Sequence, residues 1–211
     1  MYKRQVKAVY EQKEPYTDEE VTAILEHAAK LDGGTHGYAK QPGTFRLLLE
    51  LMLATGLRVG DAVSFDPRTL TKGDTLWIYT YRPQKQRRTE KPKLLEAYLT
   101  DELKKGIDEC NWLSAKGPFW YGTGGDPTPL AQAVYERMQG IGERAEIADC
   151  RPHRLRDTFA VRALLRGMQL EDVSRLLGHA SVKVTETYYA KWIATRKRRL
   201  ERLVAEALIR T

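Results

Sequence analysis

Apolar residues recur every three to four positions along most of this chain, which predicts a mainly helical protein. The first such run follows Thr17-Asp18-Glu19-Glu20, an N-cap residue with a glutamate three positions on. It carries Val21, Ile24, Leu25 and Ala28 on one face, and Asp32-Gly33-Gly34 is expected to end it. A second helix, from about Gly43 to Thr55, is apolar almost all round and is therefore expected to be buried. Gly56 stops it and places Arg58 in a turn, with Val59 to Val63 opening another short helix.

The period then changes. Thr75 to Tyr81 is rich in aromatic and branched residues, as is Lys93 to Leu95 in its apolar part, and the two predict a hairpin whose loop carries Lys85, Arg87 and Arg88. Phe119-Trp120-Tyr121, before Gly122-Thr123-Gly124-Gly125, is expected as a third short strand. From Thr128 the pattern is helical again: Leu130 to Ile141, Arg154 to Arg166, Leu170 to Leu177, and Val184 into a long tail. Residues 1 to 14 are polar and read as a tail or linker. No internal repeat or low-complexity tract interrupts the series, and the fold class is α+β, mainly helical.

With 211 residues there is enough chain for one substantial core or two small lobes sharing one. The net charge of +7 adds a partner class, because a basic chain favours a polyanion such as nucleic acid. The basic residues concentrate at 82–93, 151–166 and 191–202. Cys110 and Cys150 are too few and too far apart for a disulfide framework or a zinc site, and a reducing, cytoplasmic setting fits. No apolar run is long enough to span a membrane, and the N-terminal residues lack the apolar core of a signal peptide.

The candidate chemistry lies in four places: Thr55-Gly56-Leu57-Arg58, Lys85 in the hairpin, Pro152-His153-Arg154-Leu155-Arg156, and Leu177-Gly178-His179-Ala180 followed by Tyr188-Tyr189. Each has a plain structural explanation: a helix-end cation, a solvated turn, a basic helix face, a capping histidine, packing tyrosines. Together they are arginines, histidines and a tyrosine without paired carboxylates or a metal-ligand cluster. That set suits holding a phosphodiester, neutralising its charge and attacking it with a phenol oxygen.

In this order the features resemble the catalytic domain of tyrosine recombinases, the phage integrase family. The matching pieces are Ala54 to Asp61, Lys85, Pro152 to Ala160, Leu176 to Val182 and Thr187 to Ala190, so the likeness runs from about Tyr16 to the end. It implies that family's catalytic-domain fold, with a small three-stranded antiparallel sheet, and a reaction without metal or cofactor. The tyrosine attacks a phosphate of double-stranded DNA, giving a 3′-phosphotyrosine and a free 5′-hydroxyl, and a second hydroxyl reverses the step. Arg58 and Arg156 are then the phosphate clamp, His179 a further donor, Lys85 the acid for the leaving oxygen and His153 the group managing the tyrosine proton. Asp61, where the family more often has glutamate, is expected to orient an arginine. Arg87, Arg88, Arg151 and Arg154 are expected DNA contacts.

Two departures bear on these expectations. Counting from His179 as in most of the family gives Tyr188 as the nucleophile, whereas Thr185 to Trp192 resembles a branch in which it is one residue later. Tyr189 is the preferred choice, with Tyr188 the alternative. The helical DNA-clamping domain that usually precedes this one is missing, and residues 1–15 resemble the linker to it; an excised domain and a naturally minimal recombinase both fit. The amphipathic tail beyond Trp192 fits either packing within the chain or, as in relatives, docking on a neighbouring protomer of a tetramer on paired DNA sites. The expected function is a nucleoid-associated site-specific recombinase or integrase. A type IB-like relaxing topoisomerase and a non-catalytic DNA-binding protein on the same scaffold are the rivals.

Overall fold

The computed structural model describes residues 14–31, 44–86, 90–91, 93–110 and 128–209. Helices α1 (Asp18–Leu31), α2 (Thr44–Thr55) and α3 (Val59–Val63) precede a sheet of β1 (Thr71–Lys72), β2 (Trp77–Tyr81) and β3 (Leu95–Leu99). Helices α4 (Asp101–Glu109), α5 (Thr128–Ala145), α6 (Pro152–Leu165), α7 (Leu170–Leu176) and α8 (Val182–Ile209) follow. The capping box forms at α1: Glu20 N–H donates to Thr17 Oγ1 at 3.1 Å and Thr17 N–H to Glu20 Oε2 at 2.8 Å. Its apolar face buries Val21, Ile24 and Ala28, and α2 buries eight residues from Thr44 to Thr55.

The sheet differs from the expectation in two ways. Its hairpin is antiparallel with Tyr81 opposite Leu95 and Trp77 opposite Leu99, so β3 runs to Leu99 instead of ending at Leu95. The alternation of buried Leu95, Ala97 and Leu99 with outward Glu96 and Tyr98 is the half-buried strand pattern. The remaining strand is β1, two exposed residues with no apolar signal of their own; Phe119 to Tyr121 lie outside the described residues, as do Asp32 to Gly34. Helix α4 is a further element that the apolar pattern does not predict. Thr100 caps it by accepting from Leu103 N–H at 3.3 Å, but the helix is short, strongly polar and buries only Ile107, so few apolar positions announce it.

Apolar side chains gather in two groups. The larger joins α1, α2, α3, α4, α5, the sheet and the start of α6; the smaller joins Ala160, Val161 and Leu164 of α6 to Val173, Leu177 and Tyr189. Helix α6 packs against α2, α5, α7 and α8 and so belongs to both. At its centre Arg156 is only 2% exposed. Its Nη1 donates to Gly56 O at 2.6 Å and its Nη2 to Leu177 O, tying the ends of α2 and α7 to α6.

Both ends turn on glycines with positive φ, +68° at Gly56 and +60° at Gly178. At Gly178 the turn is a Schellman cap: His179 N–H bonds Ser174 O at 3.1 Å and Gly178 N–H bonds Arg175 O at 2.9 Å. At Gly56 a Cβ would lie 2.4 Å from Cδ1 of Phe159 on α6. Helix α8 leaves helical geometry at Tyr189 (φ −116°, ψ 17°) and then runs out as a tail whose Leu200, Leu203, Leu208 and Ile209 are exposed. Within the tail, Arg196 bonds Met168 O at 2.8 Å and Gly167 O at 2.9 Å, while these apolar side chains stay exposed. Among the described residues no helix is long and apolar enough to cross a membrane.

Gly56→Ala combines left-handed strain with a clash against the Phe159 ring. It is expected to lower unfolding free energy by roughly 2–4 kcal/mol in urea titrations. An unchanged midpoint would contradict the close approach of α6 to this turn.

Candidate active site

The turns and helix ends that Arg156 ties together surround one cavity of about 680 Å³. Arg58, Lys85, His153, Arg156, Asp157, His179, Tyr188 and Tyr189 all line it. An adjoining cavity shares Arg58, Lys85, His153 and Arg156, so the hollow continues past the arginines toward Tyr135 of α5.

Arg58 follows the Gly56 turn as the extended residue before α3 (φ −67°, ψ 151°) and is half-buried. Arg156 approaches from α6 with two of its five N–H groups committed to carbonyls. Burial first, and the Arg58 charge second, press the Arg156 pKa down to about 10, which leaves it cationic at neutral pH. Two guanidiniums held this close repel each other, and an anion between them would relieve the repulsion.

His179 stands at the end of the Gly178 turn, with Nδ1 2.7 Å from Thr185 Oγ1. Burial, then Arg156, Arg58 and His153, pull its pKa down to about 4, so the ring is neutral at pH 7. In the tautomer that serves a phosphate, Thr185 donates to Nδ1 and Nε2 carries the proton toward the cavity. No sequence motif marks Thr185; its buried hydroxyl, six residues after His179, reveals its use only in the fold.

Lys85 is exposed on the short turn Gln84–Gln86 after β2. Asp61, buried in α3, accepts from Gln84 N–H at 2.7 Å, and Gln84 Nε2 donates to Ser64 Oγ at 2.8 Å. The Lys93 N–H closes the hairpin base on Gln86 Oε1 at 2.9 Å. Asp61 is expected to orient an arginine; its bond to Gln84 holds the Lys85 turn, and its charge acts on Arg156 through space. His153 lies exposed in the first turn of α6, close enough for its charge to be felt at His179.

The two tyrosines differ sharply. Tyr188 is 43% exposed, whereas Tyr189 is 5% exposed and donates its hydroxyl to Asp157 Oδ1 at 2.9 Å. Burial, then the Asp157 charge and that bond, push the Tyr189 phenol well above its ordinary value. Asp157 is another participant that the motifs alone do not single out. The available signal is a carboxylate directly after Arg156 within a basic segment.

Arg154 is a correction. Its guanidinium lies over the Tyr16 ring and bonds Glu14 O, Ala148 O, Pro15 O and Glu20 Oε2, so it anchors residues 14–20 to α6 and does not face outward for DNA. Arg151 is partly buried and paired with Asp149 at 2.9 Å. Arg87 and Arg88 lie outside the described residues.

Residues 15–193 match the phage integrase family, and the chain belongs to it. Over 153 residues it is 29% identical to the tyrosine recombinase XerC of Herpetosiphon aurantiacus, covering 68% of this chain and 46% of that protein. The XerH site-specific recombinase bound to palindromic difH substrate, a post-cleavage complex, matches with a TM-score of 0.68 at 20% identity, over 92% of this chain and 53% of that one. The catalytic domain of bacteriophage HP1 integrase matches with a TM-score of 0.59 at 20% identity, over 84% and 87%. These likenesses give the fold, that of tyrosine recombinase catalytic domains. The chain spans about half the length of the curated relatives it matches.

Between pH 6.5 and about 4 the unfolded chain protonates His179 while the folded chain does not, so stability falls as pH drops through that window. His179→Gln is expected to flatten part of this loss, read as the urea midpoint at pH 7 against pH 4.5. Equal losses in both proteins would contradict the buried, neutral ring.

Proposed function

We propose that this chain is the catalytic domain of a site-specific DNA recombinase or integrase that cuts and rejoins strands through a 3′-phosphotyrosine. The observation that carries the reading is the convergence of Arg58, Lys85, His153, Arg156, His179 and Tyr189 on one cavity. Attack on phosphorus makes a pentacoordinate centre with extra negative charge on its non-bridging oxygens. Arg58, Arg156 and the Nε2–H of His179 answer that charge with fixed donors, each typically worth about 10²–10³ in rate. Lys85, on the turn that Asp61 holds, protonates the leaving 5′-oxygen. Tyr189 is the nucleophile, supported by its burial and its bond to Asp157, whereas Tyr188 on the same cavity is 43% exposed.

Double-stranded DNA is the partner, and the adjoining cavity gives the strand a path beyond the reacting phosphate. The working form is a tetramer on two paired sites in the cytoplasm, associated with the nucleoid. The exposed apolar side of the α8 tail supports docking on a neighbouring protomer. Residues 1–15 are proposed as a linker or tail of this domain.

With nicked, randomised duplexes quenched in denaturant, wild type and Tyr188→Phe are expected to give a covalent protein–DNA band, and Tyr189→Phe none. No band from wild type despite DNA binding would favour the non-catalytic binder. Relaxation of supercoiled plasmid without strand exchange between duplexes would favour the topoisomerase. A chain ending at Ile193 is expected to keep the band and lose the four-protomer complex in sedimentation.

A further inference from the structure

The buried carboxylate of Asp157 is unusual for its partners. Oδ1 receives the Tyr189 hydroxyl at 2.9 Å, while Oδ2 is buried and finds no hydrogen-bond partner among the described residues. The adjacent guanidinium of Arg156 points its terminal nitrogens at backbone carbonyls, away from any ion pair with this carboxylate. A buried polar oxygen left without a partner costs free energy, and packing alone gives no reason to keep it. The carboxylate lies on the wall of the cavity that holds the arginines and His179. Its ionised form only accepts, so the phenol proton already points along the line to Oδ1.

We propose that Asp157 is the general base of the cleavage step, taking the Tyr189 proton as the phenol oxygen attacks phosphorus. The proposal rests on the phosphotyrosine chemistry of the proposed function. As the Oη–P bond forms, the phenol proton moves to Asp157 Oδ1. The P–O5′ bond breaks, and the leaving oxygen takes a proton from Lys85. In the return step the incoming 5′-hydroxyl gives its proton to Lys85, and Asp157 returns its own to the departing phenol oxygen. The transfer has an electrostatic consequence: Asp157 becomes neutral as the phosphorane gains negative charge, so the site never carries both charges in full. His153, exposed at the start of α6, is then left to hydrogen-bond a phosphate oxygen instead of managing the phenol proton.

Asp157→Asn keeps the size of the side chain and an acceptor for the phenol, but its amide cannot take the proton. The test uses two pools of randomised duplexes. One has a nick beside ordinary phosphodiesters; the other has a single 5′-bridging sulfur, which departs without needing a proton. Asp157→Asn is expected to slow formation of the covalent adduct by roughly 10²–10⁴-fold on both pools, with wild-type DNA binding and thermal midpoint. Lys85→Ala is expected to be slow only on the oxygen pool. Asp157→Glu, which retains a carboxylate, is expected to recover at least about tenfold of the Asn loss.

An Asn variant that reacts at the wild-type rate or faster overturns the proposal, because Asp157 would then only restrain Tyr189. Rescue by sulfur also overturns it, since the defect would lie at the leaving oxygen. A folded Glu variant with no recovery counts against it equally. If wild type forms no adduct, the phosphotyrosine reading itself fails and the proposal with it.

Discussion

Arg156 holds the molecule's chemistry in register. A guanidinium this buried is costly to desolvate, and its cost is met by carbonyls at the ends of two helices, where backbone acceptors lack helical partners and the dipole is negative. Each carbonyl lies two residues before a cavity side chain: Gly56 before Arg58, and Leu177 before His179. Fixing the carbonyls therefore fixes where the second arginine and the histidine emerge. The left-handed glycines follow from the same requirement, because each helix must turn at once after giving up its end. Losing the guanidinium would loosen three walls together, at about 3–5 kcal/mol by analogy with other broken buried charge contacts.

The electrostatics follow from that frame. Arg58 and Arg156 repel, and both help keep His179 neutral. The carboxylates nearby are used for other tasks: Asp61 holds the turn of Lys85, and Asp157 meets the tyrosine. On the proposed function, the cavity is a preorganised anion site with a phenol at its edge, as in-line displacement at phosphorus requires. Its parts come from α2–α3, the hairpin, α6, α7 and α8, so the chemistry depends on the tertiary fold throughout.

Local features are readable in the sequence. The Thr17–Glu20 capping box, the all-round apolar α2 and the glycine stops after α2 and α7 each depend on neighbours within a few residues. Shortness and polar composition hide β1 and α4, which bury almost nothing. The motifs name the cavity residues but not their division of labour. Arg154 and Arg156 look alike in sequence, yet one uses its donors on residues 14–20 and Ala148 and the other on helix ends facing the cavity. Asp157 and Thr185 gain meaning only when α8 folds back on α6 and on the Gly178 turn. The preference for Tyr189 over Tyr188 comes from a resemblance; what the fold adds is the kink and the bond to Asp157.

The central claim is that these walls enclose one DNA phosphate. The most direct measurement is a crystal structure of Tyr189→Phe with a duplex that the protein retains. A phosphate is expected there whose non-bridging oxygens lie within hydrogen-bond reach of Arg58, Arg156 and His179, with the edge of the substituted ring facing phosphorus opposite the 5′-oxygen. DNA bound elsewhere on the basic surface, with this cavity holding no phosphate, would contradict it.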